Sequence, residues 1–216
     1  MKNKYTINFQ EVESPITEPI TKFGGQPVWI EKPEWAVSLS TGKPLTFICQ
    51  IALDEEIFGQ TESRMAYIFM NDDDEVDETW ETDGGENAVI IQPSGNNPKS
   101  VSIQNGESLS IWKEIKGEMQ RKPFPCEFAV EKSEVVPDAE PDEDEDDFEN
   151  KVGGIPRFLQ GEEYPDNENN EKDSWKLLLQ LDSVSVPFEI NFGDAGIGYA
   201  FISNDGKTGK FLWQCG

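Results

Sequence analysis

The chain has 216 residues, 36% hydrophobic and 11% aromatic, and 18 basic against 43 acidic side chains give it a formal charge of −25. Its 6 Trp and 13 Phe are ample for a core, which excludes global disorder, while the charge disfavours nucleic acid as a partner because phosphates would be repelled. Histidine is absent, which excludes His-dependent serine and cysteine triads and the usual catalytic zinc sites, leaving carboxylate, Lys or Tyr chemistry to any enzyme.

In chain order, residues 1–21 read as an N-terminal arm: alternating Tyr5, Ile7 and Phe9 mark a short strand, and Pro15 and Pro19 an extended lead-in. Lys22 to Ile30 holds Gly24-Gly25-Gln26-Pro27, a tight turn, because Gly accepts positive φ and the residue before Pro is pushed to extended geometry. Leu45–Leu53 is a nearly continuous apolar run, the mark of a strand buried on both faces. Ala66–Met70 and Ala88–Gln92 are two more strands, separated by the acidic stretch Asp72–Glu86. Ser108–Trp112 and Glu127–Glu131 are further strand candidates, and Gly106–Gln120 is assigned one short helix.

The second part of the chain echoes the first. Lys151-Val152-Gly153-Gly154-Ile155-Pro156 matches Lys22 to Pro27, and Leu177-Leu178-Leu179-Gln180 matches Phe47-Ile48-Cys49-Gln50. Gly198–Ser203 then matches Ala66–Asn71, and Lys210-Phe211-Leu212-Trp213-Gln214 matches Ala88-Val89-Ile90-Ile91-Gln92. Four matches in the same order point to duplication. The expected fold is therefore mainly β, with two internally duplicated β-rich units packed into one pseudo-twofold domain and few short helices. Residues 22–92 form the first repeat and 151–216 the second, with 93–150 as a connector whose acidic tip contains Pro141. Gly24, Gly25, Pro27 and Gln50, with Gly153, Gly154, Pro156 and Gln180, are the repeat's structural motif. Each recurring Gln is expected to fix register from a buried position.

The K-F-G-G-x-P-x-W opening, the L-x-F-x-x-Q-I strand, Y-x-F and D-G-G-E-N-A-V-I-I-Q resemble the YwqG-like family, bacterial proteins grouped as a domain of unknown function. The second half, with K-V-G-G-x-P-x-F, L-L-L-Q-L-D-S and N-F-G-D-A-G-I-G-Y-A-F-I, carries the same resemblance. It implies a duplicated, predominantly β fold, and the family offers no established catalytic residues to carry over. A more distant likeness is to the eukaryotic programmed-cell-death-protein-two family, which resembles dedicated chaperones of a basic ribosomal protein. The zinc-binding cysteines of those proteins have no counterpart around Thr41-Gly42-Lys43-Pro44.

Most of the negative charge sits in Asp72–Glu86, Asp138–Glu149 and Glu162–Asp173, and the rest of the chain is nearly balanced. Asp72, Asp73, Asp74 and Glu75 do not follow the EF-hand order, so the first run reads as a solvated hairpin loop rather than a cation site. The same acids, with Asp142, Glu143 and Asp144 and the aromatics Trp29 and Trp80, are the candidates for binding a partner. That partner is expected to be a basic protein or peptide, with long-range attraction aiding encounter; nucleic acid, membrane, metal and cofactor are not expected. Trp29, Trp35 and Trp80 also have the plainer reading of core residues. Asn191–Gly198 reads as a turn feeding a strand, since no helix or nearby cation completes a phosphate cradle. The alternative function is a carboxylate enzyme in the cleft between repeats, using Asp54, Asp182 and Asp194. Its requirement is that these side chains converge. Cys49, Cys126 and Cys215 are far apart, no apolar signal or spanning segment is visible, and the expected location is the cytoplasm.

Overall fold

The computed structural model of the protein describes residues 2–73, 75–114, 121–139, 148–165 and 174–216, and of Arg121 only the backbone. The elements of the first part are β1 (Asn3–Glu11), β2 (Lys22–Gly24), β3 (Trp35–Ala36), β4 (Thr46–Ala52), α1 (Glu55–Phe58), β5 (Met65–Met70), β6 (Asn87–Gln92) and β7 (Ser100–Val101). They are followed by β8 (Ser110–Glu114), β9 (Arg121–Pro125), β10 (Glu127–Lys132), β11 (Val136–Pro137), β12 (Lys151–Gly153), β13 (Trp175–Asp182), β14 (Ile197–Ser203) and β15 (Gly209–Gln214). The fold is mainly β, as expected.

One large sheet runs β15-β14-β13-β12-β1-β10-β2-β4-β5-β6, antiparallel throughout, with β11 also on β1. The order is a palindrome about the β1–β10 pair. The strand around Tyr5, Ile7 and Phe9 is thus a central one, and the connector supplies its partner. At the far ends β6 and β15 lie side by side, so that a Cβ on Gly209 would stand 2.4 Å from Val89 Cγ1. The sheet is nearly closed on itself.

Alternation within single strands builds two layers of core. In β5, Ala66, Ile68 and Met70 join the interior cluster, while Met65, Tyr67 and Phe69 join a cluster on the outer face. In β14, Ala200 and Ile202 point inward and Ile197, Tyr199 and Phe201 outward. Burial on both faces is the reason these segments read as continuous apolar runs. β4 and β13 carry the same irregularity, at Phe47/Cys49 and Leu177/Leu179, which turns two successive residues toward the interior of each half.

Each outer face is covered by the segment that follows its Gly-Gly turn. Gln50 Oε1 accepts from Val28 N–H and Gln180 Oε1 from Arg157 N–H, both at 2.8 Å. Tyr67 OH donates to Val28 O and accepts from Ile30 N–H; Tyr199 OH does the same with Arg157 and Leu159. Gln92 and Gln214 complete the ladder by accepting from Glu31 N–H and Gln160 N–H. The lysine opening each motif is buried too. Lys22 pairs with Glu127, and Lys151 with Asp138 at 3.0 Å. Burial drives the Lys22 ammonium below its ordinary pKa, against the bond to Glu127.

Of the stretch 106–120 expected to hold a short helix, 115–120 lie outside the described residues, and 110–114 form a strand instead. β8 pairs with β9 as a separate antiparallel ribbon, Ile111 opposite Phe124 and Trp112 opposite Pro123. Two prolines in β9 disfavour helix in the partner strand, and pairing with it holds 110–114 extended.

Candidate functional site

The two halves meet a second time at the seam between β6 and β15. A cleft of about 290 Å³ opens there, floored by Val89 and Phe211 and walled by Leu39, Asp83, Asn97 and Lys210. Asn96 N–H donates to Lys207 O at 2.7 Å across it, and Lys210 forms an ion pair with Asp83.

The loop between β5 and β6 forms one side of this seam. Its shape comes from its own polar residues. Asp73 N–H donates to Asn71 Oδ1 and Glu75 N–H to Asp73 Oδ1, both at 3.1 Å, as successive Asx turns. Asn87 Nδ2 reaches back to the carbonyls of Thr79 and Glu81, both at 2.9 Å. Glu86, only 2% exposed, holds the base: its carboxylate accepts from Asn71 Nδ2, Ser38 Oγ and Ser40 N–H. Burial works to raise the Glu86 pKa, but these donors outweigh it and hold the carboxyl below the usual glutamate value.

The loop leans on the second half through aromatic contact. Trp80, 42% exposed, stands edge-on to Trp213 with ring centroids 6.0 Å apart, and Trp213 Nε1 donates to Thr79 Oγ1 at 3.3 Å. On the same loop Asp72, Asp73, Glu75, Asp77, Glu78, Glu81 and Asp83 are all exposed. Among the described residues no three His, Cys, Asp or Glu side chains group as metal ligands.

Of the candidate binding residues, Asp72, Asp73, Glu75 and Trp80 share this loop. Asp74, Asp142, Glu143 and Asp144 lie outside the described residues. Trp29 is elsewhere: half-buried within the segment that follows the first Gly-Gly turn and straps the outer face, it packs on Trp35, Tyr67 and Phe69 and donates to Gln104 O at 3.1 Å. Gln50 and Gln180 are held by backbone partners at both ends of the amide, their N–H groups donating to Ile20 O and Glu149 O.

Asp54, Asp182 and Asp194 are not brought together. Asp54 follows β4 and Asp182 ends β13; an odd number of antiparallel steps separates these strands, so their C-terminal ends lie at opposite ends of the sheet. Asp54 is paired with Lys132, Asp182 is tied to its own turn through Val184 N–H and Ser185 Oγ, and Asp194 is exposed. Asn191–Gly198 forms a turn, with Gly193 N–H on Asn191 Oδ1 at 2.9 Å.

Trp213 and Lys210 were missing from the sequence candidates. A signal existed in the internal sequence match: they stand opposite Ile91 and Ala88, so the site lies where the two matched segments differ.

A family model described as "Domain of unknown function (DUF1963)" matches residues 21–211. None of the curated proteins matches the chain.

Proposed function

The chain belongs to the DUF1963 family, and we propose that it is a non-enzymatic interaction module that captures or shields a basic protein or peptide at the β6–β15 seam. The observation that carries this reading is the acidic β5–β6 loop. Its exposed carboxylates include Asp83, which lines the cleft between the two halves, and Lys210, which lines the same cleft, is already paired with Asp83. Such a field raises the encounter rate with a cationic partner, and the cleft beside it supplies shape. Nucleic acid is disfavoured by the same field.

Within the family the chain is a YwqG-like protein, and its two units descend from duplication of one ancestor. The matching Gln-Tyr-Gln ladders and paired lysines support that origin. The three cysteines, Cys49, Cys126 and Cys215, are free thiols, which suits a reducing compartment such as the cytoplasm. Chaperoning a nascent basic protein and neutralising a basic toxin are two versions of this role.

The test is a pull-down from the source cells at low and high salt, with the wild type and a variant carrying Asp72→Asn, Asp73→Asn, Glu75→Gln and Asp77→Asn. A basic protein held by the wild type at low salt and released at high salt, and lost from the variant, supports the reading. Absence of any such partner, or equal capture by the neutralised loop, overturns it.

A further inference from the structure

Trp80 does not fit the role of a purely solubilising loop. An indole there exposes apolar surface that the flanking carboxylates do nothing to cover. Its orientation is nevertheless fixed: Nε1 donates to Glu81 Oε1 at 3.2 Å, and the ring meets Trp213 at an interplanar angle of 78°. Trp213 is in turn backed by the fully buried Phe192, with centroids 6.4 Å apart. The two indoles thus make a corner rather than a stack. One wall is anchored in the core of the second half, and the other is carried on the acidic loop of the first.

Aromatic faces attract cations through the ring quadrupole, most strongly for Trp, and nearby carboxylates complete the ion pair. Glu78 and Glu81 flank Trp80 in the chain, and both are exposed. We infer that the Trp80–Trp213 corner is the anchor point for an arginine side chain of the basic partner. This inference rests on the interaction reading above and names the residue type that the seam recognises. Arginine fits better than lysine because a planar guanidinium can lie on an indole while its N–H fork reaches a carboxylate, whereas an ammonium is a compact, strongly hydrated charge. The corner exists only when both halves are in place, since Thr79 and Trp80 come from one and Trp213 from the other.

The experiment is a titration of the full chain with a short capped peptide of alternating glycine and arginine, followed through the tryptophan indole N–H signals in a nitrogen-15 correlation spectrum. Lysine and citrulline counterparts are the comparison probes. The expected result is that the indole signals of Trp80 and Trp213 move while that of Trp35, buried in the first half, does not. The arginine peptide binds more tightly than the lysine one, and the citrulline peptide does not bind. Trp80→Ala weakens arginine binding about tenfold and removes the preference over lysine. Trp80→Phe keeps an aromatic face and most of the affinity, which separates loss of the ring from loss of the loop's fold. If the arginine peptide binds in a salt-sensitive way but Trp80→Ala leaves its affinity unchanged, the corner is not the anchor and the broader reading survives. If none of the cationic peptides binds at low salt, the corner fails as an anchor; with no partner in the pull-down either, the interaction reading falls with it.

Discussion

The glycines of the two Gly-Gly turns show how a single residue sets the approach of distant strands. Gly24 has φ +66°, and a Cβ there would lie 2.3 Å from the carbonyl oxygen of Cys126, where β2 meets β10. Gly42 has nearly the same φ, +69°, but nothing lies within 4 Å of its would-be Cβ. The pair therefore separates backbone strain from close contact. Gly42→Ala should cost about 1 kcal/mol, the lower end for a non-glycine residue in this region. Gly24→Ala should cost more than about 3 kcal/mol, because the backbone of β10 must also shift. Chemical denaturation of both variants checks the difference, and equal losses would mean that the approach of β2 to β10 relaxes freely. Gly153 has the same problem, with the carbonyl oxygen of Asn3 on β1 2.5 Å from its would-be Cβ. The motif is thus legible as a turn in the sequence, but its second role, admitting a strand from elsewhere, depends on a neighbour remote in the chain.

At the scale of elements, the straps depend on polar side chains that look wasteful inside apolar strands. Tyr67 is fully buried, and its hydroxyl serves both Val28 O and Ile30 N–H. Tyr67→Phe leaves both backbone groups without that partner and should cost about 2 kcal/mol. Faster hydrogen exchange at Ile30 should follow, with little change at Leu159, whose partner is Tyr199. The reciprocal result is expected for Tyr199→Phe, and a variant that loosens both straps equally would contradict independent ladders. The strands around these tyrosines were readable because burial on both faces writes an unbroken apolar run, as in Met65–Met70. The ribbon of β8 and β9 was legible only in part. Ser108–Trp112 reads as a strand candidate inside a stretch also assigned a short helix, and its proline-bearing partner β9 is not marked in the sequence. The site divides in the same way. Trp80 and its acids are local and visible, whereas the bond between Thr79 and Trp213 joins residues 134 positions apart.

At the scale of the whole molecule, neither half is complete. β2 is paired by β10 and β12 by β1, so the inner edge of each four-stranded unit is covered by a strand outside it. The interior cluster draws on both halves at once, with Ile48, Ile68 and Ile91 from the first and Leu181, Ala200 and Phe211 from the second. Separate unfolding of one half would expose the inner face of the other and break either the β10–β2 or the β1–β12 pairing. The chain should therefore unfold in one cooperative transition, with calorimetric and van 't Hoff enthalpies in agreement. Leu181→Ala provides a sharper test. Leu181 is 1% exposed in the second half, and its truncation should cost about 3 kcal/mol and lower Tm by roughly 6–12 °C. Because the core is shared, hydrogen-exchange protection should fall by a similar factor in β5 and in β14, although only β14 pairs with the mutated strand. Loss confined to β12–β15, or a second transition in the calorimetric trace, would show two units that merely touch. The seam and its tryptophan corner would then open independently of the rest. One transition instead ties the corner to global stability, so that a partner bound there should raise Tm for the whole chain.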